Sequence, residues 1–443
     1  MSANLHLIIG LGATGLSCAR YLQQQNIPFS VLDTRTTPPN LDIFRQEFPH
    51  IKLSLGGWNE KLLHRASTII ISPGMSVNEP AIVKAKERGA HIIGDIELFA
   101  RAATMPVIAI TGTNAKSTVT TLVGKMAEAA GFEAQTGGNL GVPALDLLEK
   151  NPATNLFVLE LSSFQLETTH SLKPQVATVL NITPDHMDRY ETLKHYRQAK
   201  LRVYQHCSVA VCNRDDTLTD VDALRKITFT LQTPGKNEFG LLVKNGKTYL
   251  TFEDQSLLAI DELPIVGKHY QANALASLAI GYGFGLPFAP MIKVLREFTG
   301  LPHRCQFVRE RDGVRWYNDS KGTNVGATQA AIEGLGSEIS GKLILIAGGV
   351  GKNADFHPMV PIIEKYARHV VLIGEAAKEL SEAIGDRINI SYAKSMDEAV
   401  VQSSNAAKPG DSVLLSPACA SFDMFKNYEH RGQVFTEIVE KMS

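Results

Sequence analysis

The sequence is poor in cysteine and shows no pairing pattern among the cysteines it has. The five are scattered at Cys18, Cys207, Cys212, Cys305 and Cys419, and no two form a C-x-x-C pair. This spacing argues against a zinc site or a disulfide framework, and it predicts reduced, packed thiols.

Long apolar runs and blocks of like charge are also missing. No segment approaches the roughly 18 consecutive apolar residues of a membrane span, and the formal net charge of the 443 residues is −1. The opening stretch MSANLHLIIGLG has no basic region, so we expect a buried strand there and not a signal peptide. We therefore expect a cytoplasmic protein, taken to be a monomer, whose main partner is neither nucleic acid nor a membrane.

Short β-branched runs alternate with segments of helical period, which predicts α/β domains with parallel sheets. Strand–turn–helix units begin at three places, and breaks near Gly94 and Gly300 divide the chain into segments 1–94, 95–300 and 301–443. We predict a Rossmann-like first domain, a central P-loop-type ATPase domain with a mostly parallel sheet, and a Rossmann-like third domain.

The first unit is a glycine-rich turn between a strand and a helix. Strand Leu5–Ile9 leads into G-x-G-x-x-G at Gly10, Gly12 and Gly15, and Asp33 ends the next strand. Such a turn lets the backbone approach a phosphate at a helix N-terminus, and an acid at this distance can hold a ribose hydroxyl. A dinucleotide site and a ligand-free, close-packed turn both fit. The loop ISPGMSVNEP at 71–80 would border the same ligand.

The second unit, TGTNAKST at 111–118, looks like a phosphate-binding loop. It lacks both glycines of the usual pattern G-x-x-x-x-G-K-[ST], because Ile110 and Ala115 stand in their places. Lys116 lies where a helix begins, and the helix macrodipole disfavours a cation there unless an anion lies between them. Ser117 or Thr118 offers a hydroxyl to Mg²⁺. Phosphate binding therefore explains the lysine better than an ordinary helix cap does.

Polar side chains follow two further apolar strands of the central segment. Glu160 ends FVLE, and Asp185 and His186 follow the next strand. Ligands of open α/β sheets bind at the carboxyl ends of strands, so these residues are expected to meet Lys116. Taken singly, Glu160 fits a structural ion pair equally well, the His–Asp cluster fits a helix cap, and Lys200 fits a solvated lysine.

Seven segments together resemble the Mur ligases of peptidoglycan synthesis. They occur in order along essentially the whole chain: TGTNAKST, ELSSFQLETT, NITPDHMDRY, YRQAKLRVY, LPHRCQF, YNDSKGTN and SPACASFDMF. The resemblance is greatest to the members that join D-glutamate to UDP-N-acetylmuramoyl-L-alanine with ATP. It implies an acyl-phosphate mechanism, two Mg²⁺ ions, and a UDP-sugar in place of a dinucleotide on the first domain.

The resemblance also assigns site residues. Those implied for ATP are Gly112, Thr113, Asn114, Ala115, Lys116, Ser117, Thr118, Asn273, Arg304 and Asp319. Those implied for Mg²⁺ are Ser117, Glu160, His186 and a carbamylated Lys200, and the implied catalytic residues are Lys116, His186 and Lys200. Those implied for the UDP substrate are Gly12, Ala13, Thr14, Gly15, Asp33, Thr34, Arg35, Ser72, Gly74 and Asn139. Those implied for D-glutamate are Lys321, Thr323, Lys352, Ser421 and Tyr428.

Three positions depart from the family pattern. Ala115 replaces a glycine, and its methyl group is tolerable only if the backbone keeps a negative φ. Tyr270 replaces an asparagine beside His269, which leaves one base contact open. Val350 replaces an acidic residue and is given no role.

Other classes of protein account for fewer of these residues than an ATP-dependent ligase does. An NAD-dependent oxidoreductase would use the Gly10–Gly15 turn but would leave Lys116, Glu160 and His186 without a role. A non-catalytic nucleotide-binding regulator would not need the His186 cluster. Folylpolyglutamate synthase shares the ATP loop but not the first domain, and diaminopimelate-adding ligases differ in SPACASFDMF.

Overall fold

The computed structural model describes residues 5–265 and 267–442. Residues 1–4, where the first predicted domain begins, and residue 443, where the last one ends, lie outside these ranges. Residue 266, which precedes GKHYQAN, also lies outside them. The chain forms three sheets, each covered by helices, which is the predicted three-domain α/β architecture. The exact domain boundaries remain predictions.

The first sheet has five parallel strands in the order β3-β2-β1-β4-β5. Its elements, with the helix that follows, are β1 (Leu5–Ile9), α1 (Ala13–Gln24), β2 (Phe29–Asp33), α2 (Leu41–Glu47), β3 (Leu53–Leu55), α3 (Glu60–Arg65), β4 (Ala66–Ile71), α4 (Pro80–Glu87), β5 (His91–Ile93) and α5 (Asp95–Ala102). Because β1 lies between β2 and β4, the residues after these three strands share one edge. Gly10, Asp33 and Ser72 are therefore neighbours.

The second sheet has nine strands in the order β14-β13-β12-β11-β10-β9-β6-β8-β7, and only β12–β14 pair antiparallel. Its elements are β6 (Val107–Thr111), α6 (Lys116–Ala129), β7 (Ala134–Gly138), α7 (Ala144–Lys150), β8 (Leu156–Glu160), α8 (Ser163–Glu167), β9 (Val176–Val179), α9 (Leu193–Leu201), β10 (Val209–Asn213), β11 (Lys226–Phe229), β12 (Glu238–Lys244), β13 (Lys247–Phe252), β14 (Gln255–Ala259), α10 (Lys268–Phe284) and α11 (Phe288–Glu297), with 3₁₀ turns at Arg202–Tyr204, Thr217–Thr219 and Ile260–Glu262.

The third sheet has six strands in the order β15-β16-β20-β17-β18-β19, parallel except for the β15–β16 hairpin. Its elements are β15 (Gln306–Arg311), β16 (Val314–Asn318), α12 (Val325–Gly336), β17 (Leu343–Gly348), α13 (Val360–Tyr366), β18 (Ala367–Ile373), α14 (Ala377–Ile384), β19 (Asn389–Tyr392), α15 (Met396–Ala406), β20 (Ser412–Leu415) and α16 (Tyr428–Lys441), with 3₁₀ turns at His357–Met359 and Gly385–Arg387.

The apolar cores show how the domains are joined. One cluster runs without a break from the first sheet to the second and includes Ile8, Leu16, Phe99 and Phe157. Phe99, on α5, packs edge-on against Phe157 of β8 at a centroid distance of 5.1 Å. The third sheet has clusters of its own on its two faces. The first two domains therefore share one apolar core, whereas the third has cores of its own and contacts the central domain through side chains such as Arg304, Asn324 and Lys352.

All five cysteines are unpaired, and Cys18, Cys212 and Cys419 are buried, in agreement with the sequence prediction. Within the two described ranges, no helix combines the length and apolarity that crossing a bilayer requires.

Candidate active site

Strand order in the central sheet brings the predicted residues together. β6 lies between β8 and β9, with Ile110 level with Glu160 on one side and Thr111 level with Val179 on the other. The loop after β6 carries Lys116, β8 ends on Glu160, and the segment after β9 carries His186. The three side chains therefore leave the sheet at one edge, as expected for a parallel sheet.

The loop between β6 and α6 is hydrogen-bonded to Asn181, which follows β9. Asn181 accepts a hydrogen bond from the Asn114 N–H at 2.8 Å through its side-chain oxygen. Its amide nitrogen donates to the Asn114 carbonyl at 3.2 Å, and its own carbonyl accepts from the Thr113 N–H at 2.9 Å. Sequence reasoning missed this role, although the position of Asn181 directly after an apolar strand was a usable signal.

Ala115 adopts a left-handed conformation, with φ of +67°. It is the residue that precedes α6, and no side chain caps the helix there. An alanine in this region costs roughly 1–2 kcal/mol relative to glycine, because its Cβ approaches the backbone. The negative φ that would make a methyl group tolerable at position 115 is therefore not found. Ala115 is a strained position in the loop.

Two lysines point into this loop. Lys116 Nζ donates to the carbonyls of Gly112 and Thr113, each at 2.9 Å. Lys200 Nζ donates to the same Gly112 carbonyl at 2.8 Å. Lys200 is 1% exposed, so it is not the solvated lysine that the sequence alone allowed. Burial, followed by the Lys116 charge, lowers the pKa of Lys200 well below its ordinary value, and burial lowers that of Lys116.

Glu160 is buried and only half satisfied. Its Oε1 accepts from the Asn139 side-chain amide at 2.7 Å, whereas its buried Oε2 has no hydrogen-bond partner. It has no ion-pair partner among the described residues. A carboxylate oxygen left free in a buried site, with the Ser117 hydroxyl in the first turn of α6, fits a hard cation such as Mg²⁺.

Across the residues that the structure describes, no cluster of three or more His, Cys, Asp and Glu side chains could hold a metal ion by itself. Any Mg²⁺ at this edge must therefore take further ligands from phosphate oxygens, hydroxyl groups or water. This is the usual arrangement for magnesium in nucleotide sites.

His186 sits in an aromatic cluster. Its ring packs edge-on against Phe164 at 4.9 Å and faces Tyr196 at 6.5 Å, and Tyr196 in turn lies under Lys200 Nζ at 4.6 Å. The backbone of His186 is left-handed, with φ of +57°. Burial lowers the pKa of His186, which favours the neutral imidazole, the form that can accept a proton or bind a cation.

The first cavity, of about 320 Å³, lies beside the loop between the second and third domains. Residues predicted to bind ATP that line it are Asn114, Ala115, Thr118, Asn273, Arg304 and Asp319, together with His269 and Tyr270. Arg304 donates to the Ser117 hydroxyl at 2.9 Å across the two domains. Burial raises the pKa of Asp319 to about 6.

Two buried polar atoms beside this cavity have no hydrogen-bond partner, His269 Nδ1 and the Tyr270 hydroxyl. The Tyr270 ring stacks on Phe298 at a centroid distance of 6.3 Å and is part of the apolar core. Tyr270 therefore serves packing, which an asparagine at this position would not do.

A second cavity of about 320 Å³ brings the third domain to His186. Its walls include Asp185, His186, Thr323 and Lys352. Lys352 Nζ contacts Asp185 Oδ1 at 3.0 Å, and Asn324 donates to Asp185 Oδ2 at 3.2 Å and to the Asn114 side chain at 3.1 Å. Asp185 is thus one of the points at which the third domain contacts the central one, together with Ser117 and Asn114. Neither this role nor that of Asn324 was predicted.

The other residues predicted for the amino acid, Lys321, Ser421 and Tyr428, do not line this cavity. Ser421 is buried. The residue before it, Ala420, exchanges two backbone hydrogen bonds with Val350, at 2.9 and 3.0 Å. Lys321 Nζ lies 3.6 Å over the ring of Tyr428 and lines the first cavity. Burial lowers the pKa of Lys321 to about 8.

A separate cavity of about 530 Å³ lies between the first and central domains. Nine of the ten residues predicted for the UDP substrate line it: Gly12, Ala13, Thr14, Asp33, Thr34, Arg35, Ser72, Gly74 and Asn139. Gly15 does not, because it packs on the Gly10 carbonyl, which a Cβ would approach to 1.9 Å. Asp33 accepts from the Leu11 N–H at 2.7 Å and from Arg35 at 2.7 Å, and so fixes the turn.

Comparison with known proteins agrees with this geometry. Family models match the chain in three consecutive parts: the Mur ligase MurD-like N-terminal domain over residues 4–94, the Mur ligase middle domain over 110–281 and the Mur ligase glutamate ligase domain over 303–419. The chain belongs to the Mur ligase family.

Curated relatives define a narrower group. The chain is 51% identical over its whole length to a protein of Pseudomonas savastanoi pv. phaseolicola named UDP-N-acetylmuramoylalanine--D-glutamate ligase, covering 99% of that protein. It is 50% identical to the protein of the same name from Coxiella burnetii, with 100% of both chains covered.

Solved structures share the fold at low sequence identity. A MurF ligase from Thermotoga maritima in complex with ADP gives a TM-score of 0.63 at 17% identity, covering 94% of this chain and 96% of that one. A pseudomurein peptide ligase type C from Methanothermus fervidus gives 0.63 at 18% identity, covering 99% and 100%.

The strain at Ala115 predicts an unusual response to glycine. Ala115→Gly removes the left-handed penalty but adds entropy to the unfolded chain, so we expect the free energy of unfolding to rise by about 0.5–1 kcal/mol. Ala129→Gly, at the exposed end of the same helix, should instead lower it because glycine is a poor helix former. Urea denaturation of both variants tests this, and a loss of stability in Ala115→Gly would contradict it.

Proposed function

We propose that this protein is an ATP-dependent ligase that joins D-glutamate to UDP-N-acetylmuramoyl-L-alanine in the synthesis of peptidoglycan precursors. One observation carries the proposal: the Asp185–His186 segment borders the phosphate-type loop and also lines a cavity with Lys352 and Thr323 of the third domain. A phosphoryl group on the loop and an amino acid held by the third domain would therefore approach the same point.

The proposed reaction has two steps. The carboxylate of the muramoyl-L-alanine attacks the γ-phosphorus of ATP, which forms an acyl phosphate and releases ADP. The neutral amine of D-glutamate then attacks the acyl carbon, the tetrahedral intermediate collapses, and phosphate and a proton leave as the amide forms. Positioning and charge neutralisation carry most of the rate enhancement in phosphoryl transfer.

Lys116 is the proposed ligand of the transferred phosphoryl group. Without a phosphate its ammonium donates to two carbonyls of its own loop, and a phosphate oxygen is a stronger acceptor for the same donors. Arg304, which reaches Ser117 from the third domain, is placed to add a second positive charge. Both cations are supplied by the chain itself.

Ser117 and Glu160 are proposed to hold one Mg²⁺, and His186 with Lys200 to help hold another. Magnesium would neutralise charge on the phosphoryl oxygens and on the oxyanion of the intermediate. The Ser117 hydroxyl and the unpartnered Glu160 oxygen suit a hard cation. An ammonium at Lys200 would repel the ion, so that ligand requires a different chemical form of the residue.

That form is proposed to be the carbamate. A lysine reacts with CO₂ only as the neutral amine, and burial beside Lys116 lowers the pKa of Lys200 in that direction. The amine attacks CO₂, loses one proton and becomes an anionic oxygen donor. The change replaces a buried cation beside Lys116 with an anion, which turns repulsion into attraction.

The cavity between the first and central domains is proposed to bind the UDP-sugar. It contains the Gly10–Gly15 turn at the start of α1, where phosphate is favoured, and Asn139, which also holds Glu160. An oxidoreductase would use the turn alone. It would leave the Lys116, Glu160 and His186 cluster without a function, so we do not favour that alternative.

A coupled assay tests the proposed function directly. Multiple-turnover ADP release by the wild-type protein should require both UDP-N-acetylmuramoyl-L-alanine and D-glutamate, because without the amine the reaction stops at the acyl phosphate. Lys116→Ala should remain folded but lose about a hundredfold or more in kcat, since one charge-assisted phosphate contact is worth ~3 kcal/mol. NADH formation, multiple-turnover ADP release without an amino acid, or full activity of the folded variant would count against the proposal.

Lys200 should be carbamylated in the active protein. Lys200→Ala is expected to be nearly inactive and to recover partly with added acetate, because a small carboxylate supplies the missing oxygen ligand. Lys194→Ala, an exposed lysine of the same helix, should remain active. A carbamate ¹³C signal after incubation with labelled bicarbonate should appear in the wild type and in Lys194→Ala but not in Lys200→Ala. Its absence from a fully active wild type would refute the assignment.

Lys352 should bind a carboxylate of D-glutamate. Lys352→Ala is expected to raise the KM for D-glutamate by tenfold or more while that for ATP changes little, as a buried charged contact is worth ~2–5 kcal/mol. Lys378→Ala serves as the control, because its side chain is 88% exposed and forms an ion pair with Glu382 of the same helix. A rise in the KM for ATP alone, or a wild-type preference for a basic amino acid, would overturn the assignment.

A further inference from the structure

Arg189 reaches from the central domain into the first one. Its Nη1 donates to the Pro73 carbonyl and its Nη2 to the Met75 carbonyl, each at 2.8 Å. Both acceptors belong to the loop after β4, which also contains Gly74. This guanidinium therefore holds two backbone groups of a different domain.

That loop is one wall of the cavity proposed for the UDP-sugar. Ser72, Pro73, Gly74 and Met75 all line the cavity. The loop is tight, since the Met75 N–H donates to the Ser72 carbonyl at 2.9 Å, and the Ser72 hydroxyl reaches the Gly10 carbonyl at 3.1 Å. A shift of the Met75 end would therefore be passed to the glycine-rich turn on the opposite wall.

The other end of Arg189 belongs to the His186 segment. The Arg189 N–H donates to the His186 carbonyl at 3.0 Å, so both residues lie in one turn. The guanidinium carbon lies 4.0 Å over the ring of Phe164, and the same ring packs edge-on against His186 at 4.9 Å. One aromatic side chain thus backs both the imidazole and the guanidinium.

The charge of Arg189 is matched and its side chain is largely enclosed. Nη2 also contacts Glu167 Oε2 at 3.1 Å, and the two side chains are 15% and 17% exposed. An arginine can serve a carboxylate and two carbonyls together because its planar fork presents five N–H donors in fixed directions. Lysine places a single compact ammonium there and cannot reach both carbonyls in the same way.

We propose that Arg189 is a positioning residue for the sugar-nucleotide substrate: it fixes the Ser72–Met75 loop relative to His186. It thereby sets where the substrate carboxylate lies with respect to the phosphoryl group. The inference rests on the proposed function. It concerns the first substrate, because the two carbonyls that Arg189 holds belong to Pro73 and Met75, which line that substrate's cavity, although Arg189 itself lines none of the three cavities.

Arg189→Lys separates this role from a general effect on folding. We expect the KM for UDP-N-acetylmuramoyl-L-alanine, and its Kd from titration calorimetry without ATP, to rise about tenfold, the scale of one lost hydrogen bond. The KM values for ATP and D-glutamate should stay within about twofold. Arg309→Lys is the matched control, because Arg309 also donates to backbone carbonyls, Val439 at 3.1 Å and Glu440 at 2.9 Å, within the third domain. It should leave all three KM values unchanged.

Glu167→Gln provides a second variant if Arg189→Lys does not fold. It removes the ionic partner of Arg189 and should raise the same KM and Kd by about threefold. A folded Arg189→Lys protein with wild-type KM and Kd for the UDP-sugar, or with all three KM values raised equally, would overturn the inference. A wild-type protein that neither binds nor uses the UDP-sugar would instead refute the proposed function.

Discussion

The Gly112 carbonyl accepts hydrogen bonds from two buried ammonium groups, Lys116 at 2.9 Å and Lys200 at 2.8 Å. One neutral oxygen cannot offset two charges, and both lysines have a lowered pKa as a result of burial. The charges of Glu160 and Asp185 offset part of this positive charge, since each raises the pKa of both lysines. In the proposed reaction, a phosphate on the loop and a carbamate on Lys200 would each add further negative charge, so binding and modification would act on the same electrostatic imbalance.

The strand order of the central sheet places two carboxylates at the same edge as these lysines. β8 and β9 flank β6 and bring Glu160 and Asp185 to the same edge, and each of these carboxylates is held by a neighbour with a different origin. Asn139 follows β7 within the central sheet, whereas Lys352 comes from the third domain. The first contact is fixed by the central fold. The contact between Lys352 and Asp185 depends on where the third domain lies relative to the central one. The set of residues at the site therefore depends on the arrangement of these two domains.

Much of the fold could be predicted because its signals are local. Glycines after a strand, apolar runs of five residues and polar residues at strand ends are properties of short segments, and Glu160 and His186 were found in this way. The left-handed backbone at Ala115 could not be predicted from the local sequence. The adjacent residue Asn114 is held by Asn181, which follows β9 and is distant in the sequence. The burial of Lys200 has the same kind of cause, since its acceptor lies 88 residues away.

Contacts between domains were the least predictable. Asp185 and Lys352 are 167 residues apart, and the Arg189 contact with Pro73 spans 116. In the sequence each of these arginines and lysines fits a solvated surface equally well. Only the assembled domains show that their partners are backbone carbonyls or a buried carboxylate. Of these residues, the resemblance supplied only Lys352, and without its geometry.

The Lys352–Asp185 pair suggests how an anionic substrate can enter without a large electrostatic cost. Asp185 is 9% exposed and already compensates Lys352 in the absence of an amino acid. Burial would raise the pKa of Asp185, but the charge and the hydrogen bond of Lys352 act against it, and the pKa of Asp185 is lowered. If Lys352 binds a substrate carboxylate as proposed, one anion would replace another, so the lysine would keep a partner in a site where it is only 18% exposed. The displaced Asp185 would then lie beside His186, where a cation with the phosphoryl group would accept it. The proposed function would thus couple amino-acid binding to charge compensation at the reacting centre through one carboxylate.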